Sequence, residues 1–243
     1  MLFPIGDDNS DLTRFPFVNY VFIAANIIVY VLFQGAGGNE AFTYAFSVVP
    51  REIITGVDIS TPQIIRDSLG KRAMIPLQET PIPVYGTILT SMFMHGGLMH
   101  LGGNLLYLWI FGDNLEDRLG HIRYAIFYLI CGVAAAMAQV LSDTSSVIPM
   151  LGASGAISGV LGGYLLLFPR RNVTTIIFYN VLKVPAFVAL GIWIVFQIVR
   201  GYLDSSESGG VAYMAHIGGF IAGFLLIKVF AIGTKATAPL MNN

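Results

Sequence analysis

Residues 151–159 read LGASGAISG and lie inside a longer apolar run, 147–168. That run is long enough to enter a bilayer. In hydrocarbon a hydroxyl must find a partner or line a watered cavity, so Ser154 needs either a packing reason or a chemical one. Serine among glycines is the ordinary composition of a close helix contact, and the stretch alone says no more than that. What changes its reading is the rest of the chain, which supplies a histidine and an amide at the same expected depth.

The 243 residues are 55% hydrophobic and 11% charged, with a mean hydropathy of +0.72. This is too apolar and too charge-poor for an ordinary soluble domain, and it predicts a polytopic all-α membrane protein. The single cysteine, Cys131, sits in an apolar run, so neither a disulfide framework nor a cysteine metal cluster is available. A net charge of −1 offers no basic footprint for nucleic acid. The opening MLFPIGDDNSDLTRF carries three aspartates and no basic segment ahead of its first apolar stretch, which argues against a cleavable signal peptide.

Six spans are expected, at 15–33, 97–111, 124–141, 147–168, 185–199 and 211–230. Residues 1–14 and 231–243 read as terminal tails, and the absence of tandem repeats leaves 15–230 as one domain. The long connection after the first span holds five prolines and several charges and is not itself a span. Its piece 41–49 is amphipathic enough to lie in the interface, and 58–77 reads as a loop insertion with one short helix. In the fourth run Pro149, Gly152 and Gly155 place the start of regular helix near Ser154. Residues 172–183 read as a short interfacial piece. Basic residues in the short loops put both termini on the cytoplasmic side of a cell membrane, with spans two, four and six all descending from the outer face.

On that arrangement His100 and Asn104, four apart on one helical face, share a layer with Ser154 and His216, roughly 10 Å below the outer surface at the helical rise per residue. Gly155, Gly159 and Gly163 on span four and Gly219 and Gly223 on span six allow the two backbones to approach. A serine hydroxyl needs a base before it can attack, and neutral histidine is the base suited to neutral pH. Near a helix start Ser154 also has unpaired N–H groups beside it, which favour an oxyanion, and Asn104 and His100 are further donors. With no Asp or Glu in the spans near this layer, a two-residue pair without an orienting carboxylate is expected. Each group alone has a plainer reading: His100 and Asn104 as polar glue between helices, His216 as a partner for a carbonyl at a loop junction. Those readings do not explain why all of them share one layer.

These residues resemble the rhomboid family of intramembrane serine proteases. The matching segments are HGGLMHLGGN from His95 to Asn104, GDNLEDRLG from Gly112 to Gly120, GASG from Gly152 to Gly155, and AHIGGFIAG from Ala215 to Gly223. The resemblance implies Ser154 as nucleophile and His216 as general base, with Asn104, His100 and the Ser154 N–H as the oxyanion hole. It further implies structural roles for His95 in the first loop and Glu116 in the turn after span two. A six-helix core, no cofactor or metal, and cleavage of transmembrane protein substrates near the membrane surface follow from it too. Sideways substrate entry points to Trp193, Phe196 and the segment 204–213. One position departs from the family pattern. Four residues after the nucleophile, where many members carry an aromatic ring, this chain has Ser158, either bonded within its own helix or competing for the imidazole. Tyr213 and Tyr107 are the candidates to fill the space. The rival readings are a silent rhomboid-like protein that binds membrane clients and a small transporter. A soluble hydrolase elbow is excluded because Ala156 stands where that motif needs glycine.

Overall fold

The computed structural model describes residues 2–66, 72–203 and 211–234. Its long helices are α1 (Phe17–Ile28), α5 (Leu98–Leu119), α6 (His121–Ser142), α7 (Ser154–Leu167), α8 (Ala186–Leu203) and α9 (Tyr213–Phe230), and the first continues into a π-helical turn at Val29–Phe33. Shorter helices α2 (Glu40–Phe46), α3 (Pro50–Thr55) and α4 (Thr87–Thr90) occupy the connection between α1 and α5. By length and composition α6, α8 and α9 are able to cross a membrane. Helix α5 is as long as α6, but its last turns carry Asp113, Glu116, Asp117 and Arg118; α7 and the first helical stretch are apolar but shorter.

Helix α7 is the centre of the packing. Every residue from Gly155 to Tyr164 is buried, as expected of a helix that is apolar all round. Helices α5, α6, α8 and α9 pack around it. The core joins Leu108, Phe111 and Leu115 of α5, Phe127 and Tyr128 of α6, and Val160, Leu161 and Tyr164 of α7. On α9, Gly219 and Gly223 lie so close to the Gly155 and Gly159 carbonyls that a Cβ at either position would overlap carbonyl oxygen. With no hydrophobic force between helices in lipid, this close van der Waals packing holds the pair together. The outward stripe Ile122, Ile126, Ile130 and Val133 of α6 remains exposed at helical spacing.

One end of the bundle is fastened by polar groups. The buried Glu116 carboxylate accepts the Val18 and Asn19 N–H groups at 2.8 and 2.7 Å, and so caps the start of α1 from α5. Asn19 in turn donates to the Leu108 carbonyl and accepts from the Tyr124 hydroxyl, which ties α1, α5 and α6 together. Glu116 Oε1 also lies 2.5 Å from His121 Nδ1, across the turn between α5 and α6. This bears out a structural place for Glu116 at that turn, and the same carboxylate orders the start of α1 as well.

The all-α expectation is corrected in three places. Residues 2–7, expected in a tail, form strand β1 (Leu2–Asp7), and 172–185 form the hairpin β4 (Asn172–Ile177) and β5 (Asn180–Pro185). Together they make an antiparallel sheet in the order β1-β4-β5, with Leu2 opposite Ile177 and Asp7 opposite Val173. Residues 58–77 are expected to hold a short helix; the described ones, 58–66 and 72–77, instead hold strands β2 (Gln63–Arg66) and β3 (Arg72–Ile75), paired antiparallel. The reason is local: Ile64 and Ile65, and Val173 to Ile177, are runs of β-branched residues that favour extended backbone. Ile65 and Ile75 then pack with Val49, Leu77, Tyr44 and Ile148, which seats the insertion on the connection below it.

Candidate functional site

The loop before α7 is built around Gly152. Its φ of +136° is a conformation that L side chains rarely adopt, and its N–H donates to the Ser91 carbonyl at 2.9 Å. A Cβ at this position would stand 2.8 Å from the His100 ring and 3.5 Å from Ser154 Oγ. His100 and Ser154 therefore flank the same glycine. Two residues on, Ser154 begins α7, so the N–H groups of that first turn have no partner within the helix.

His216 reaches Ser154 from the first turn of α9. Its Nε2 lies 2.8 Å from Ser154 Oγ. The close approach of α7 and α9 makes this distance possible, and Gln139 of α6 steadies the start of α9 by accepting the Ala215 N–H at 3.2 Å. The other ring nitrogen, Nδ1, lies 2.9 Å from Gln197 Oε1 of α8. The Trp193 ring, one turn earlier on α8, is 6.0 Å from the imidazole centre, and Tyr213 meets it edge-on at 6.4 Å.

On α5, His100 Nδ1 accepts a long hydrogen bond from the Gly96 N–H at 3.4 Å. That leaves Nε2 as the nitrogen able to donate toward Gly152. Asn104, one turn further along, is 8% exposed, and its Nδ2 has no hydrogen-bond partner among the described residues. A buried donor without a partner is costly and needs an explanation. Beside Ser154 lies a cavity of about 30 Å³ bordered by Ser91, Met92, Ala135, Met150 and Gly155.

The structure thus brings Ser154 and His216 together, with His100 beside them. Trp193 joins the group, whereas Phe196 points outward and is exposed. Of segment 204–213, residues 204–210 lie outside the described residues. Ser158 donates to the Ser154 carbonyl at 2.6 Å, so it is bonded within its own helix and does not reach for the imidazole. Tyr213 is the tyrosine near His216; Tyr107 packs on Phe111 instead. The His95 backbone exchanges two hydrogen bonds with the buried Gln34 side chain, at 2.9 and 3.0 Å, which anchors the loop before α5. Its ring meets the His100 ring edge-on at 5.1 Å. Gln34 and Gln197 are not among the candidates that the sequence marks. The available signal was the one that drew attention to Ser154, a polar group in an apolar run.

A Rhomboid domain model matches residues 84–232, and the chain belongs to the rhomboid family, whose fold is a helical membrane fold. It is 28% identical over 211 residues to Rhomboid protease GluP of Bacillus subtilis, a match that covers 86% of this chain and 34% of that protein. With RHOMBOID-like protein 4 of Arabidopsis thaliana it shares 36% identity over 145 residues, 60% of this chain and 34% of the relative. With the mitochondrial Rhomboid protein 1 of Saccharomyces cerevisiae it shares 33% over 156 residues, 61% of this chain and 43% of the relative. The matches span well under half the length of these relatives.

Proposed function

We propose that this protein is an intramembrane serine endopeptidase that cleaves other membrane proteins in or near a transmembrane segment. The observation that carries the reading is the 2.8 Å contact between Ser154 Oγ and His216 Nε2 at the start of a buried helix. In this reading the helical stretch from Phe17, together with α5 to α9, makes six spans. The 15–230 region is one protease domain between two cytoplasmic tails, in a bacterial type of plasma membrane.

The proton and the electron pair move as follows. His216 Nε2 takes the Ser154 hydroxyl proton as Oγ attacks the carbonyl carbon of the scissile peptide bond. The oxygen of that carbonyl becomes an oxyanion, held by the Ser154 N–H, His100 Nε2–H and the Asn104 amide. The unpartnered Nδ2 of Asn104 supports this assignment, because a donor kept free in the ground state is available when charge develops. Collapse of the intermediate expels the amine, which receives the proton from His216. Water, deprotonated by the same imidazole, then attacks the ester and releases Ser154. No cofactor or metal enters this scheme. A helix conceals its carbonyls in its own hydrogen bonds, so the substrate has to unwind near the cut, and the small cavity beside Ser154 favours small or helix-breaking residues there.

The test is labelling of Ser154 by a fluorophosphonate together with cleavage of a reporter transmembrane substrate. Both should occur in the wild type and vanish in Ser154→Ala and His216→Ala variants that still fold. Full activity in either variant defeats the mechanism. A wild type that binds a membrane client but neither labels nor cuts is a silent rhomboid-like protein.

A further inference from the structure

We infer that Gln197 is a positioning residue for His216, setting which ring nitrogen carries the proton and coupling that choice to the seating of α8; this rests on the protease reading. Gln197 is 7% exposed, although its neighbours Val195, Phe196, Ile198 and Val199 are exposed apolar side chains. A polar amide on such a helix needs a partner, and its Oε1 finds His216 Nδ1 at 2.9 Å.

The carbonyl oxygen of an amide only accepts, so Nδ1 must hold the proton. Nε2 then carries a lone pair and accepts the Ser154 hydroxyl at 2.8 Å, the arrangement a general base needs. Were the other tautomer present, Nε2 would point an N–H at Ser154 and could not take its proton. Among the described residues, the groups near the ring include Ser154 from α7, Gln197 and Trp193 from α8, His100 from α5 and Tyr213 from its own helix. None of these described groups is an acid, and the amide is placed to do the orienting usually done by a carboxylate.

The same bond also bears on α8. The other buried residues of that helix, Ala186, Ala189 and Leu190, all lie in its first two turns. Past Leu190 the fully buried side chain is Gln197; Trp193 and Ile194 pack part-buried against the core and Arg200 meets Tyr213, so the bond to the catalytic base is one of the contacts that seat the later half of α8. A displacement of that half takes the acceptor off Nδ1 and frees the ring to adopt the unproductive tautomer.

The experiment compares wild type, Gln197→Met and Gln197→Glu, the last keeping an acceptor, as full chains in detergent or bilayers. The measurements are kcat and KM on a transmembrane reporter, the rate of fluorophosphonate labelling at Ser154, and the ring nitrogen signals of ¹⁵N-histidine-labelled protein. Gln197→Met should lower kcat and the labelling rate about 10-fold or more, a part of what a positioned base contributes, with KM little changed. In it the His216 signal should move from the Nδ1–H form to a mixture, while Gln197→Glu stays within about 3-fold of wild type. An unchanged labelling rate with an unchanged tautomer in Gln197→Met overturns the inference, as does a wild-type ring protonated at Nε2. The ring signals decide the matter even if Gln197→Met fails to fold, since the wild type alone reports its tautomer. A wild type that shows the Nδ1–H form yet neither labels nor cleaves overturns the protease reading and leaves the positioning contact standing.

Discussion

Asn104 holds a buried amide nitrogen with nothing to donate to among the described residues, and an unmet donor costs on the order of 1–3 kcal/mol. A protein that selected only for packing at this position would do better with an apolar side chain. If the nitrogen is reserved for charge that develops on a substrate oxygen, Asn104→Ala should lower kcat about 10²-fold with little change in KM. Steady-state kinetics on a transmembrane reporter check this, and an unchanged kcat returns Asn104 to the packing class. Ser158 leads to the opposite expectation. Its hydroxyl is committed to the Ser154 carbonyl at 2.6 Å, so Ser158→Ala should leave both the labelling rate and kcat within about 3-fold of wild type. A loss comparable to that of His216→Ala would show that the position acts on the imidazole after all. Gly152 is constrained twice, by its positive φ and by the His100 ring in the space a Cβ would take. Nothing but glycine fits between the two.

At the level of elements, the contact between α7 and α9 decides whether serine and histidine meet. Because the Gly223 backbone rests on the Gly159 carbonyl, Gly223→Val must force the two helices apart. Overpacking of this kind costs typically about 1–3 kcal/mol, and separating the helices lengthens the Ser154–His216 contact as well. The variant should therefore lose both thermal stability and Ser154 labelling; retention of full labelling would show that α9 is positioned from elsewhere. This element pair was legible in the sequence, because glycines at four-residue spacing and an imidazole on the same face are local features. Gln197 was harder to find. One glutamine toward the end of an apolar run has no periodic companion, and its partner lies 19 residues away on the next helix. The strands were hidden for a different reason. The hairpin of β4 and β5 is short enough to pass for an interfacial piece, and β1 pairs with a strand some 170 residues further along, a relation that no local pattern carries. Likewise the Glu116 cap on α1 joins residues 98 apart, so the sequence marks the carboxylate and its turn but not its hold on α1.

Over the whole molecule, the sheet places the start of the chain against the ends of α5 and α7, and Asp7 is the joint. Its carboxylate accepts from Asn114 of α5 at 2.8 Å and from the Tyr164 hydroxyl of α7 at 2.5 Å. Arg171 stands nearby, donating to the Asp8 carbonyl and paired with Asp11. Burial pushes the Asp7 carboxyl up from 3.8 to about 7, with Asp113 adding to the rise and Tyr164 and Arg171 opposing it. Between those two values the folded protein holds a proton that the unfolded chain has released, so folded stability declines as pH rises across the window. The contribution is fully present below about 4 and is lost by the time the pH passes about 7. A tenfold difference in proton affinity between the folded and unfolded chain is worth about 1.4 kcal/mol, so the ceiling is a few kcal/mol, reduced by whatever relaxation the joint allows. Tm measured in detergent from pH 5 to pH 8 should therefore fall for the wild type. In Asp7→Asn, which has no proton to lose, the fall should be clearly smaller. Equal slopes for the two proteins would mean that Asp7 ionises in the folded state at the same cost as in the unfolded chain, and that the joint between β1 and the helices is held by Arg171 and Asn114 without it.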